Sequence, residues 1–287
     1  MISSSPSLPP LFRAAPQQAP AIPLFDVHAN LGVTDTDGIG YGRLTADEYL
    51  GLMDDAGVHR VCAFPPLMAN YDRANIALRD WAMRQSACVL PFARLGGPGG
   101  PRPIRQFWQA RRAVRARLLR EPGPAIDLDG FAGIKLIPHL SGLPEAAIFE
   151  AINQRGLPVL VHAGQHSPPS WIARRLLPRL CTPVILAHLG AYPTEADLLA
   201  EAVDLAAREP QIHLDTSGVW VSEFLRFAAQ RVPHKLLFGS DAPLAHPRVA
   251  WLQLATAVRD DRQLEAIGRL NAERLFAPWI ERRPQHA

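Results

Sequence analysis

Cysteine is scarce in this chain: Cys62, Cys88 and Cys181 stand far apart. They are too few for a disulfide framework and lack the close pairing of a structural zinc site, so reduced thiols in a cytoplasm are expected. Long apolar runs are also missing. In the opening stretch MISSSPSLPPLFRAAPQQAP, Pro6, Pro9 and Pro10 interrupt the continuous apolar sequence that an export leader would need. Neither a secretory signal nor a membrane anchor is expected. Charge of one sign is not abundant either, since 30 Lys and Arg against 27 Asp and Glu give a net charge of +3. The main basic concentration is RPIRQFWQARRAVRARLLR at 102–120, where Ile104, Phe107, Trp108, Val114, Leu118 and Leu119 recur at helical spacing. Its arginines read as the solvated face of a helix. With no recognition motif beside them, nucleic-acid binding is not expected.

What is present is enough apolar sequence for one large core, because 48% of 287 residues are hydrophobic. Three segments are expected. Residues 1–22 form a Pro- and Ser-rich flexible arm, 23–280 a single domain, and 281–287 a polar tail. Along the domain, short apolar runs alternate with longer stretches of helical period. The strand candidates are LFDVH (24–28), VCAF (61–64), LPFARL (90–95), FAGIKLI (131–137), PVLVH (158–162), PVILAH (183–188), QIHLDT (211–216) and KLLFGSD (235–241). Helix candidates such as TADEYLGLMDDAG and EAAIFEAINQRG open on a capping residue or acid and close on glycine. Strict alternation demands parallel strands with helical crossovers. A doubly wound sheet would satisfy that too. Eight units filling the chain, with no glycine-rich phosphate loop after the first strand, favour a closed (β/α)8 TIM barrel.

In such a barrel the chemistry sits at the carboxyl ends of the strands, and His28, Arg94, His162, His188 and Asp241 all fall there. One histidine at a strand end is readily structural. Several on separate strands point to a functional centre. Residues two apart on a strand share a face, so His28 and Asn30 are expected to point together at the middle. Histidine and aspartate side chains are suitable ligands for a divalent metal.

The motifs resemble a known family. FDVHANLG is similar to an Asp-x-His-x-His opening, and FAGIKLIP to a Gly-x-Lys-Leu-His-Pro strand. PVLVHAG, VILAHLG, LDTSG, LLFGSDAP and NAERLF follow in the same order. The chain resembles the amidohydrolase superfamily, in particular the amidohydrolase-related group that includes decarboxylases of the aminocarboxymuconate semialdehyde type and metal-independent lactonases. The resemblance implies that His28, His162 and Asp241 bind one divalent metal, zinc ahead of manganese, with Asn30 as a weak fourth ligand. It makes Asp241 the base that activates water or substrate, and His188 an acid–base or substrate-polarising catalytic residue. A metal ion would lower the pKa of bound water and polarise a carbonyl while the carboxylate takes the proton.

Two departures bear on that set. Asn30 stands where the opening motif has its second histidine, and an amide oxygen is a weaker donor than imidazole, so the metal is expected to be loosely held. Ile137 stands where the fourth strand of the family carries a histidine, and His139 follows two residues later as a candidate replacement. Lys135 has two readings: a carbamylated bridge between two metals, as in binuclear relatives, or an ordinary inward amine paired with a carboxylate such as Asp26. The second is favoured, because buried charges need partners. Arg94 reads either as a clamp for a substrate carboxylate, matched by its planar fork, or as a structural ion-pair partner. Lys135, Arg94 and His139 are therefore candidate substrate-binding residues. Trp171 and Trp220 either wall the pocket or pack at the rim, and His59, His213, His234 and His286 receive no function.

The expected activity is hydrolysis, or non-oxidative decarboxylation, of a small carboxylated or cyclic substrate. Two alternatives stay open: a metal-independent lactonase-like hydrolase, and a degenerate barrel that binds a ligand or partner without turnover. The expected partner is a small-molecule substrate, with no nucleic acid and no membrane, and a homodimer is the assembly to test.

Overall fold

The computed structural model of the protein describes residues 22–32, 45–67, 71–85, 88–96 and 127–281. The expected helix over 102–120, the arm apart from Ile22, and the tail apart from Glu281 lie outside the described residues. Among the described residues no helix is long and apolar enough to cross a membrane.

All eight expected strands form, as β1 (Leu24–Asn30), β2 (Val58–Phe64), β3 (Val89–Leu95), β4 (Gly133–Leu136), β5 (Val159–Val161), β6 (Val184–Leu186), β7 (Ile212–Asp215) and β8 (Leu236–Leu237). They pair in chain order in one eight-stranded sheet, every pair parallel. The two ends of the sheet meet. Val27 N–H donates to the Phe238 carbonyl, Asp241 N–H to that of His28 and Asn30 N–H to that of Ala242. Among the described residues helices lie between successive strands from β1 to β3 and from β4 to β8, which makes this a TIM barrel.

The local signals behind the helices are visible. Helix Ala46–Ala56 opens on a capping box in which the Thr45 hydroxyl accepts from Glu48 N–H and the Glu48 carboxylate accepts from Thr45 N–H. It ends on Gly57 in the left-handed region. Helix Ala146–Arg155 ends the same way on Gly156.

Two apolar layers follow from alternation along the strands. Val61, Ala63, Val159, Val161, Val184 and Leu186 join the layer between sheet and helices. Phe25, Val27, Cys62, Phe64, Leu90, Phe92, Leu160, Ile185 and Leu237 fill the barrel interior, plugged by Phe276 from helix Asn271–Ile280. Its ring centroid lies 5.5 Å from that of Phe25 and 5.9 Å from that of Phe92. Phe92 in turn needs Gly133 on the next strand, because a Cβ there would fall 2.4 Å from the ring. Following the same alternation upward, Leu90 and Phe92 lead to Arg94, Gly133 to Lys135, and Leu160 to His162. The apolar plug thus gives way to polar side chains at the carboxyl ends.

Several strands end earlier than the apolar runs suggest. The ladders of β5, β6 and β8 stop before His162, His188 and Asp241, which hang from the loops just beyond. His188, Leu189 and Asp241 have φ of 60°, 52° and 63°. Non-glycine residues held in that region cost of order 1–3 kcal/mol each and persist where the surroundings fix them.

Candidate active site

Asp215, at the end of β7, is the hub. Its Oδ1 accepts from His188 N–H at 2.9 Å, Ser217 N–H at 3.0 Å and Ser217 Oγ–H at 2.5 Å, and its Oδ2 lies 2.8 Å from His28 Nδ1. Burial pushes this carboxyl up, but the opposing pull of His28 and Ser217 wins and holds it well below the usual carboxylate range. An ionised Asp215 makes Nδ1 the protonated nitrogen of His28. Burial first, and then Lys135, push the His28 imidazole down to about 4, so it is neutral near pH 7 with its lone pair on Nε2.

That lone pair faces two groups. Lys135 Nζ is 3.1 Å away and Asp241 Oδ1 is 3.3 Å away. Gly239 leaves the space His28 occupies, since a Cβ there would lie 3.0 Å from His28 Cβ and 3.2 Å from Ser217 Cβ. Lys135 is itself buried, and burial moves its amine down to about 7 against the pull of Asp215, with Arg94 adding to the fall. Asp241 is pushed up by burial and drawn down by His188, Lys135 and a 3.0 Å hydrogen bond from Asn30 Nδ2.

The second imidazole pair has an equally definite polarity. His188 Nδ1 lies 3.0 Å from the Ser217 carbonyl, which can only accept, so Nδ1 carries the proton. His188 Nε2 is then the acceptor for His162 Nδ1–H at 3.1 Å. Burial lowers both imidazoles, His188 to about 4. His139 lies in the single helical turn Pro138–Ser141 instead of continuing β4, with its ring 5.1 Å from that of His162 and 5.2 Å from that of His166. Among the described residues its buried Nδ1 has no hydrogen-bond partner.

The geometry gathers His28, Asn30, Lys135, His162, His188 and Asp241 at one end of the barrel. It also corrects one pairing. Asp26 does not meet Lys135: its carboxylate accepts from Tyr49 OH, Ser240 Oγ–H, Ser240 N–H and His28 N–H. The cause is a register irregularity in β1 between Asp26 and Ala29, which re-aims the strand so that Asp26 meets helix Ala46–Ala56 while His28 turns to the interior. Asp26 is pushed up to about 6 by burial, against those hydrogen bonds. Asp215, Ser217, Ser240 and Tyr49 were not singled out from the sequence, although the first three lie within LDTSG and LLFGSD.

Arg94 is paired in register with Lys135 on the neighbouring strand. It is 2% exposed, gives one hydrogen bond from Nη1 to the Pro65 carbonyl at 2.7 Å, and stacks near the rings of Phe64 and Tyr71. Among the described residues it has no ion-pair partner, and its Nε and the Tyr71 hydroxyl are buried without a hydrogen bond. Trp171 packs on the outer apolar layer and Trp220 is exposed.

His28, His188 and Asp215 bring donor atoms within 4.8 Å of one another, a group that could hold a metal ion. The hydrogen bonding does not suit a resident ion. The Nε2 lone pairs of His28 and His188 are already engaged by Lys135 and His162, and Asn30 presents its Nδ2–H to Asp241.

The likenesses to known proteins agree with the fold. The comparison with curated proteins gives no match. Among solved structures, the Agrobacterium tumefaciens protein ATU3138 has a TM-score of 0.63 at 16% identity, over 92% of this chain and 98% of that one. A probable 2-pyrone-4,6-dicarboxylic acid hydrolase from Acinetobacter baumannii, with citric acid bound, has a TM-score of 0.60 at 16% identity, over 89% and 100%. A dihydroxybenzoic acid decarboxylase from a Polaromonas species, with bound manganese and an inhibitor, has a TM-score of 0.56 at 16% identity, over 89% and 97%. The amidohydrolase family model matches residues 25–277, and the chain belongs to that family.

Proposed function

We propose that the barrel mouth hydrolyses a small carboxylated ester or lactone. The carrying observation is Arg94, a buried guanidinium with no carboxylate in ion-pair contact among the described residues, felt only at longer range by Asp241, and with an unused Nε. A buried cation of this kind is costly unless something pairs with it, and a substrate carboxylate matches the guanidinium fork. Lys135 beside it and Asp241 across from it supply the remaining chemistry. Asp241 takes a proton from water as the water oxygen attacks the ester carbon. The N–H groups of Lys135 not given to His28 stabilise the charge that develops on the carbonyl oxygen. Asp241 then returns the proton to the leaving oxygen as the C–O bond breaks. No step uses a metal ion.

Decarboxylation of a carboxylated phenol is the second reading. It is supported by the decarboxylase among the structural neighbours and by the same need for a carboxylate on Arg94. There a protonated Asp241 would give its proton to the ring carbon as carbon dioxide leaves.

A panel of carboxylated lactones, esters and phenols, assayed beside their uncharged methyl esters in the presence of a chelator, tests both readings. Turnover is expected only with a free carboxylate on the substrate. Arg94→Gln should raise KM for the carboxylated substrate about tenfold or more, the loss of one charge-assisted hydrogen bond. Equal turnover of the uncharged esters would count against Arg94 as the clamp, and released carbon dioxide would select decarboxylation.

A further inference from the structure

The nitrogen that a metal ion would take on His28 is already occupied from within the chain. Asp215 fixes the proton on Nδ1, and Lys135 Nζ lies 3.1 Å from the remaining lone pair on Nε2. In metal-binding histidines one ring nitrogen donates to a carboxylate or carbonyl and the other holds the ion. Here the carboxylate is present and Lys135 stands in the position of the ion. Its Nζ also sits 4.6 Å from the centroid of the Phe64 ring, a face that attracts a cation. The side chain is 1% exposed and its backbone is paired on both sides, to Arg94 on β3 and Leu160 on β5. Little freedom is left for it to withdraw.

We infer that Lys135 is the resident cation of this site and that it keeps a divalent metal ion out by holding the His28 Nε2 lone pair. Charged or neutral, the amine has an N–H to give, so the exclusion does not depend on its protonation state. The inference also accounts for Asn30. Where no ion is held, a second imidazole at this position has nothing to bind, and Asn30 instead donates to Asp241 at 3.0 Å and to the Ala242 carbonyl at 3.3 Å. The inference rests on the same site as the proposed hydrolysis, but its test reads metal content, so the two fail separately.

The experiment is a zinc titration of the full chain, with metal per chain measured by mass spectrometry after desalting and affinity measured by competition with a chromophoric chelator. Wild type should retain well under one ion per chain. Lys135→Met should bind zinc about 10- to 100-fold more tightly than wild type, the range over which neighbours of a metal ligand change affinity. Lys135→Arg, which keeps a donor in place, should not gain. Asn30→His alone should change little, whereas Asn30→His with Lys135→Met should bind more tightly than the two single effects combined, a coupling expected for groups sharing one site. Circular dichroism of each variant checks the fold. Stoichiometric zinc surviving a chelator in wild type overturns the inference, as does a folded Lys135→Met that binds no better or binds worse, which would make the lysine inert or a ligand. Should Lys135→Met not fold, wild type and Asn30→His still decide the matter. Tight zinc binding by Asn30→His with Lys135 in place overturns it, and continued weak binding in both supports it.

Discussion

His28 and Asp215, 187 residues apart in sequence, face each other across 2.8 Å at the barrel mouth. The carboxylate does more than orient the imidazole, since it also receives two backbone N–H groups and the Ser217 hydroxyl. A carboxylate is acceptor-only and can serve all four donors, whereas an amide must turn its NH2 toward one of them. Asp215→Asn is therefore expected to lose about 1–3 kcal/mol of stability, the cost of a buried donor without an acceptor. Thermal unfolding measures the first loss, and a fall in kcat larger than the change in KM measures the accompanying misplacement of His28.

Gly239 lends itself to a steric test. A methyl group at this position would sit 3.0 Å from His28 Cβ and 3.2 Å from Ser217 Cβ, and neither is the free end of a flexible chain. Gly239→Ala should cost about 1–3 kcal/mol as an overpacked core does. It should also depress activity further than its stability loss explains, because the imidazole is what moves. Activity measured well below the variant's melting temperature separates the two effects.

The Asp26 network makes a prediction about rigidity. Tyr49 OH and Ser240 Oγ–H both donate to Asp26 Oδ2 at 2.5 Å, while His28 N–H and Ser240 N–H donate to Oδ1. The carboxylate thus ties β1 to the turn that carries Asp241. Tyr49→Phe removes one donor and leaves three, so it should destabilise by about 1 kcal/mol or somewhat more and lower kcat modestly. Ser240→Ala takes away the hydroxyl that bonds both Asp26 and Ala242 N–H, and should cost more. Urea denaturation of the two variants ranks them.

Much of the fold was legible because barrel strands are buried on both faces. LPFARL is buried throughout, and such a run reads as a strand without any alternation. The strand-end positions of His28, His162, His188 and Asp241 were legible for a different reason, that a parallel barrel brings every carboxyl end to one face. The Lys135–Asp26 pairing failed on a backbone event, the irregularity in β1, which no residue type in FDVHANLG announces. Asp215 and Ser217 were not picked out because their importance comes from donors that arrive from elsewhere in the chain: the backbone of His188 and the ring of His28. His139 continued the strand parity on paper, but Pro138 opens a helical turn there and carries the imidazole to His162 and His166.

Asp241 admits the sharpest test of chemistry because its backbone can be held constant. Its φ of 63° lies in the left-handed region, which asparagine tolerates far better than most side chains. Its N–H bonds the His28 carbonyl whatever the side chain. Asp241→Asn should therefore keep the fold and the turn, and differ only in losing a group that can take and return a proton. General acid–base assistance is worth about 10²- to 10⁴-fold, so kcat should fall within or beyond that range with KM within a few-fold of wild type. Asp241→Ala should lose activity equally but also stability, because alanine does not favour that φ and Asn30 Nδ2 loses its acceptor. An Asp241→Asn protein that turns over substrate at near wild-type rate would remove Asp241 from the reaction and leave the proton transfer to the imidazoles of His188 and His162.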